Sequence, residues 1–152
     1  MSKDYDIRQA QAADEAAVRA CAEDAYEQYV EAIGKKPAPM VADFASLITA
    51  GCVHVAVEGP ADVIGFIIFF REGDHVLLEN VAVRSDATGR GIGKSLIALC
   101  ERTAKSSGAG SVKLYTNEKM SANLTIYPRL GYRETDRKTE DGFHRVYFEK
   151  RI

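Results

Sequence analysis

Apolar residues along the chain change their period several times, and each change marks an element. Residues 5–8 alternate well enough for a short strand. From Asp14 onward Val18, Cys21/Ala22, Ala25, Tyr29 and Val30 recur at helical spacing, with Asp14 placed to cap the helix and Gly34 to end it. Pro37 and Pro39 then forbid regular structure across residues 35–40. A shorter helix is predicted next, with Val41, Phe44 and Leu47/Ile48 on one face and a stop at Gly51.

The period then drops to two. Residues 52–58 read as a strand, residues 59–62 (GPAD) as a turn, and residues 63–70 (VIGFIIFF) as a central strand buried on both faces. After the turn at Glu72-Gly73 a third strand starts at Asp74 and runs to Val83, so the three form an antiparallel meander. It feeds a polar turn, residues 84–88, and then Gly89-Arg90-Gly91-Ile92-Gly93. These glycines open a helix with apolar positions Ile92, Leu96, Leu99/Cys100 and Ala104. Residues 111–116 return as a strand parallel to its predecessor, as a helical crossover requires. Ser121 is placed to cap a last helix through Leu130, with Gly131 as its stop. Residues 132–137 and 143–150 close the chain as two strands around Glu140-Asp141-Gly142. The fold class is α/β (α+β): a mixed, mostly antiparallel sheet of about seven strands flanked by four helices, in the order β-α-α-β-β-β-α-β-α-β-β. At 152 residues, with no repeat and no linker, residues 1–152 are expected to form one domain.

Composition narrows the function only by exclusion. A net charge of −2 with mixed signs carries no electrostatic footprint for nucleic acid. No apolar run reaches the ~18 residues of a membrane span. The first residues, MSKDYDIRQA, lack a signal-peptide core. Cys21, Cys52 and Cys100 are odd in number, widely spaced and in apolar contexts, which predicts buried thiols in a reducing cytoplasm. His54, His75 and His144 lie on separate segments without metal-ligand spacing, so no metal is implied.

The strand–glycine turn–helix at 77–101 is the stretch with the most chemistry. First-turn N–H groups of a helix have no partner, glycine lets backbone approach a phosphate, and Arg90 and Lys94 add positive charge at the same mouth. A Walker loop ends G-K-[ST], as Gly93-Lys94-Ser95 does, but its first glycine falls on Thr88. A dinucleotide fingerprint starting at Gly89 needs glycine where Lys94 stands. From Val81 the stretch instead resembles the central motif of the GNAT superfamily of N-acetyltransferases: a V-A-V-like strand end, a short polar turn, then Q/R-x-x-G-x-G/A. Here the last part reads Thr88-Gly89-Arg90-Gly91-Ile92-Gly93, with Thr88 departing from the usual Gln or Arg. The resemblance covers nearly the whole chain, because the element order is also the GNAT order. It implies that the amides of residues 88–94, Ile92 and Lys94 included, hold the pyrophosphate of acetyl-CoA. It also implies that Val81, Ala82 and Val83 hydrogen-bond the pantetheine arm.

A second stretch, MSANLTIYPRLGY at 120–132, resembles the later GNAT signature through Asn123, Tyr127, Gly131 and Tyr132. Asn123 and Tyr127 are four apart and share a helix face. The resemblance makes Asn123 a CoA contact and Tyr127 the general acid for the leaving thiolate, a role open to a phenol held close to a thiol of pKa ~8.5. Pro128 removes the N–H that would bond the Leu124 carbonyl, which predicts a kink or an early helix end there. Glu79 is the candidate base for the amine and a substrate contact, with Val81 N–H meeting the oxyanion. The first two helices match where the family builds its acceptor wall, making Tyr26, Tyr29 and Met40 candidate substrate contacts. Tyr29, on the apolar stripe, reads better as packing, while Tyr26 and Met40 suit either role. The expected activity is transfer of acetyl from acetyl-CoA to a primary amine of a small molecule or peptide, by direct attack in a ternary complex. A non-catalytic CoA-binding module and a small P-loop phosphotransferase are the alternatives. The acceptor is open, and so is a homodimer.

Overall fold

A computed structural model describes residues 4–152. Met1, Ser2 and Lys3, part of the stretch read as lacking a signal-peptide core, lie outside the described residues. The elements are β1 (Asp6–Gln9), α1 (Glu15–Ile33), α2 (Phe44–Thr49), β2 (Val53–Glu58), β3 (Asp62–Glu72), β4 (His75–Val83), α3 (Ile92–Ser106), β5 (Ser111–Asn117), α4 (Ser121–Arg129), β6 (Arg133–Glu140) and β7 (Phe143–Arg151). Seven strands and four helices thus follow the expected order. They form one sheet, β1-β2-β3-β4-β5-β7-β6, antiparallel except for the β4–β5 pair. None of the described helices is long and apolar enough to cross a membrane.

Both faces of the sheet are covered. Phe66 and Ile68 of β3 pack with Val18, Ala22 and Phe44 under α1 and α2, while Ile64, Ile67 and Phe69 pack with Ile92, Leu96 and Cys100 under α3. This explains the unbroken apolar run in β3: a strand buried on both faces has no side left for polar residues. Gly65 lets α3 approach. A Cβ there would lie 3.0 Å from the Ala82 carbonyl oxygen and 3.2 Å from Ile92 Cγ2. Gly65→Val is therefore expected to destabilise the fold by about 3 kcal/mol through overpacking, lowering Tm by roughly 6–12 °C in a thermal melt.

Four local expectations are corrected. Asp14 does stand where α1 begins, but its carboxylate turns back, accepting from the Gln11 N–H at 2.8 Å and from Arg8 at 2.7 and 3.0 Å. A bidentate guanidinium is a stronger partner than a helix N–H. Ser121 is the first residue of α4 rather than its cap. Val41 is 56% exposed instead of facing inward, because α2 starts only at Phe44, capped by Asp43 through the Ser46 N–H at 3.2 Å. The two prolines do not leave residues 38–40 irregular either. Pro37 leads into a single 3-10 turn, Ala38–Met40.

The site is set up by how β4 and β5 part. They pair only from His75–Ser111 to Leu78–Leu114, after which β5 stays bonded to β7 through Asn117 while β4 continues bonded to β3 alone. On its other side β4 slips register: Phe69 pairs with Leu78 and Ile68 with Asn80, leaving Glu79 unpaired in a bulge. A gap opens between the C-terminal halves of two parallel strands, the place where sheets of this kind take ligands.

Candidate active site

Gly89 (φ +81°) and Gly91 (φ +77°) both adopt the left-handed conformation, which a side chain would strain. Gly91 caps α3 without a side chain, and the first helical bond runs from Ser95 N–H to Gly91 C=O at 3.0 Å. The N–H groups of Ile92, Gly93 and Lys94 therefore have no intrahelical acceptor and aim out of the helix end. The approach to this loop is braced. Arg84 pairs with Asp62 at 2.7 Å and Asp86 at 2.6 Å, and Asp24 of α1 accepts from the Ser85 N–H at 2.6 Å and hydroxyl at 3.1 Å. The Thr88 hydroxyl donates back to the Ser85 carbonyl at 3.2 Å, so this residue steadies the turn.

A cavity of about 490 Å³ starts at this loop. Thr88, Gly89, Gly91, Ile92, Gly93 and Lys94 form one end, Val81, Ala82 and Val83 line its length, and Asn123 and Tyr127 of α4 face them. Tyr26 and Tyr29 of α1 contribute a further part of the wall. Arg90 is absent from it: its guanidinium pairs with Glu58 at 2.9 Å and lies over the Tyr5 ring at 5.9 Å. Of the two expected cations only Lys94 faces the cavity.

Pro128 does not disturb Tyr127. The helix continues to Arg129, one residue short of the expected end, and closes in a Schellman motif. Tyr132 N–H bonds the Tyr127 carbonyl at 3.0 Å and Gly131 N–H the Pro128 carbonyl at 3.1 Å, with Gly131 at φ +97°. The hydrophobic contact that goes with this motif is the Tyr127–Tyr132 ring pair at 5.7 Å. Phe148 adds a second ring at 5.8 Å, so Tyr127 is 5% exposed and held by two rings. Burial pushes its hydroxyl above the usual tyrosine range, which keeps it protonated. Asn123 donates its amide to the Thr116 hydroxyl at 3.0 Å.

A second, smaller cavity of about 50 Å³ lies in the gap between β4 and β5. Glu79 lines it together with Tyr115, Phe143 and Arg145, while Tyr26, Val81, Asn123 and Tyr127 line both cavities. Burial, the dominant influence, pushes the Glu79 carboxyl above its usual range, against the pull of the Arg145 guanidinium. Tyr26, which the helical stripe did not single out, is buried and its hydroxyl lies 2.7 Å from Asn80 Oδ1 and 2.9 Å from the Val81 carbonyl. Tyr29 is only half-buried, on the cavity side. Met40 lines neither cavity; it is buried in the apolar layer under α1 and α2, as a flexible thioether suits.

Asn80, Tyr115, Asn117, Phe143 and Arg145 were not legible as site residues. Asn80 had a signal: a polar residue alternating inward beside Glu79 in an apolar strand. Buried, it donates to the Pro39 carbonyl at 3.0 Å and so ties the proline loop to β4. None of the histidines lines either cavity. His54 stacks on Phe69 at 5.4 Å, His75 lies 3.3 Å from Glu72 and Asp74, and His144 Nδ1 lies 2.9 Å from the Thr139 hydroxyl.

The fold is shared with solved acetyltransferases. Among curated proteins none matches the sequence. The GNAT-family acetyltransferase of Staphylococcus aureus Mu50 superposes with a TM-score of 0.80 at 16% identity, over 97% of this chain and 98% of its own. The PaiA N-acetyltransferase of Thermoplasma acidophilum, solved with coenzyme A, gives 0.75 at 17% identity over 99% and 100%. The IAA acetyltransferase of Bacillus cereus ATCC 14579 gives 0.69 at 20% over 97% and 99%. At such identities these likenesses establish the fold. The sequence model of the acetyltransferase (GNAT) domain matches residues 49–134, more than half of the chain, from the end of α2 through the glycine loop to the start of β6. The chain is a member of the GNAT family of acetyltransferases.

Proposed function

We propose that the protein transfers acetyl from acetyl-CoA to a primary amine by direct attack in a ternary complex. The observation that carries this is a wall shared by two cavities: the long one starting at the glycine loop and the small one holding Glu79 are both lined by Tyr26, Val81, Asn123 and Tyr127. The residues fit acetyl-CoA. Free first-turn amides and Lys94 suit the pyrophosphate, and strand β4 offers backbone beside Val81–Val83 for the pantetheine arm. The thioester then ends near Tyr127.

Glu79 takes the proton of the amine, directly or through water, freeing the lone pair that attacks the thioester carbon. A C–N bond forms and the C–S bond breaks. Tyr127 passes its proton to the departing sulfur and is made good by the second proton, which leaves the nitrogen as the amide forms. Although its hydroxyl is a weak acid, a thiolate in the same setting is a stronger base than in water. Burial, helped by neighbouring carboxylates, pushes the Cys21 and Cys100 thiols up to about 12. Val81 N–H meets the oxyanion, and most of the rate comes from holding two reactants together. The three free cysteines favour a reducing compartment, the cytoplasm.

Calorimetric titration tests the binding half. Acetyl-CoA is expected to bind, and Gly91→Glu to weaken it by at least about tenfold, because it strains the cap and puts a carboxylate where an anion belongs. Binding of Mg-ATP in place of acetyl-CoA would overturn the reading.

A further inference from the structure

The small cavity holds two opposite charges that do not satisfy each other. Glu79 enters from the β4 bulge, and among the described residues no side chain donates a hydrogen bond to its carboxylate. Arg145 enters from β7, where it stands opposite Asn117 of β5 and Lys138 of β6. Among the described residues no ion pair joins the two. Yet each feels the other across the space, since Arg145 pulls the Glu79 carboxyl down against burial.

The Arg145 side chain is only 13% exposed and firmly aimed. Its guanidinium lies over the Tyr115 ring at 4.5 Å and the Phe143 ring at 5.6 Å. Lys35 packs on Phe143 at 4.0 Å and donates to the Asp141 carbonyl at 2.9 Å, tying the loop after α1 to the β6–β7 turn beside the cavity. The nearest carboxylate to Arg145 is Glu140 at 3.7 Å, beyond hydrogen-bond reach, and Glu140 already accepts from the Tyr147 hydroxyl. A guanidinium has five donors, so a flat fork remains for a ligand. Glu140 balances the charge at a distance without filling the fork, and a guanidinium kept largely out of water gains from a closer, hydrogen-bonded anion.

We infer that the acceptor is a primary amine bearing a carboxylate a few bonds away, an amino acid in free form, with its amine at Glu79 and its carboxylate on the Arg145 fork. This rests on the acetyl-transfer reading of the site. At about 50 Å³ the cavity suits an amine-and-carboxylate head rather than a bulky body, and Tyr115 and Phe143 give apolar surface to the carbon between. An amine without the anionic group would leave the Arg145 fork without a hydrogen-bonded partner, which is how sites of this type reject near-analogues.

The test is saturation-transfer NMR of the CoA-loaded protein with free amino acids and, one for one, their carboxamides, followed by acetyl-transfer rates with the same panel. The expected result is a preference for the carboxylate member of a pair by about tenfold to a hundredfold, the range of a charge-assisted hydrogen bond. Arg145→Gln should abolish that preference and Arg145→Lys should retain part of it. Unchanged calorimetric affinity for acetyl-CoA in both variants shows that they are folded. Equal binding of acids and amides, no binding of either, or an equal preference in Arg145→Gln would overturn the inference. Carboxylate-dependent binding without acetyl transfer would leave the inference standing and defeat the transfer reading alone.

Discussion

Tyr127→Phe is expected to lower kcat for acetyl transfer by about a hundredfold to ten-thousandfold while leaving the fold as stable as before. The two halves of that expectation come from the same geometry. Only the hydroxyl is lost, and among the described residues nothing hydrogen-bonds it, so no buried partner is left unsatisfied. The ring contacts with Tyr132 and Phe148, and the Schellman carbonyl beneath them, are kept. A steady-state assay against a thermal melt separates the effects. If Tyr127 only packs under the sheet, activity will be unchanged; if it is a structural hydrogen-bonding residue, Tm will fall with activity.

Glu79→Gln is expected to reduce kcat by a similar factor, and its signature is in the pH profile. A base works when ionised. Because burial raises the Glu79 carboxyl, the acid limb of kcat/KM should fall at a higher pH than an ordinary carboxylate would give, and that limb should vanish in the glutamine variant. The stability consequence has the opposite sign. A carboxyl raised on folding favours the fold while protonated, and that advantage is lost as pH rises through its folded pKa. At neutral pH the charged, half-buried Glu79 weighs against the fold, so Glu79→Gln should leave Tm the same or higher. Lost activity with no lost stability is the expected pair. An unaltered pH profile in Glu79→Gln would move the base role to another group.

The site was partly legible for a definable reason. Gly89 and Gly91 were readable because a left-handed cap without a side chain is a local demand, met within a few residues of chain. Tyr127 was readable because Asn123 lies one helical turn away and Gly131 marks the stop. Pro128 raised a doubt that the structure answers: a proline one residue from the helix end removes a single bond, and the terminal motif still forms around it. Tyr26, left open between packing and substrate contact, is both buried and part of the two cavity walls, while Tyr29, read as packing, is half-buried and lines the long cavity. The stripe of α1 holds Tyr29 and not Tyr26, and what buries Tyr26 is the position of Asn80 and Val81, more than fifty residues away. Arg90 was expected at the anion mouth because charge beside a glycine loop looks purposeful. Whether it faces the loop depends on Glu58 at the end of β2, which competes for it.

By itself the sequence determined the element order, the double-faced burial of β3, the parallel return of β5 and the glycine turn onto α3. Each of these follows from period, turn chemistry or chain connectivity, which act over short stretches. Only the tertiary structure decided that β4 and β5 part after four residue pairs, that Glu79 stands in a bulge, and that Arg145 and Phe143 from the last strand meet it in one cavity. Those facts depend on register between strands far apart in the chain, and a one-residue shift in pairing turns every side chain to the other face.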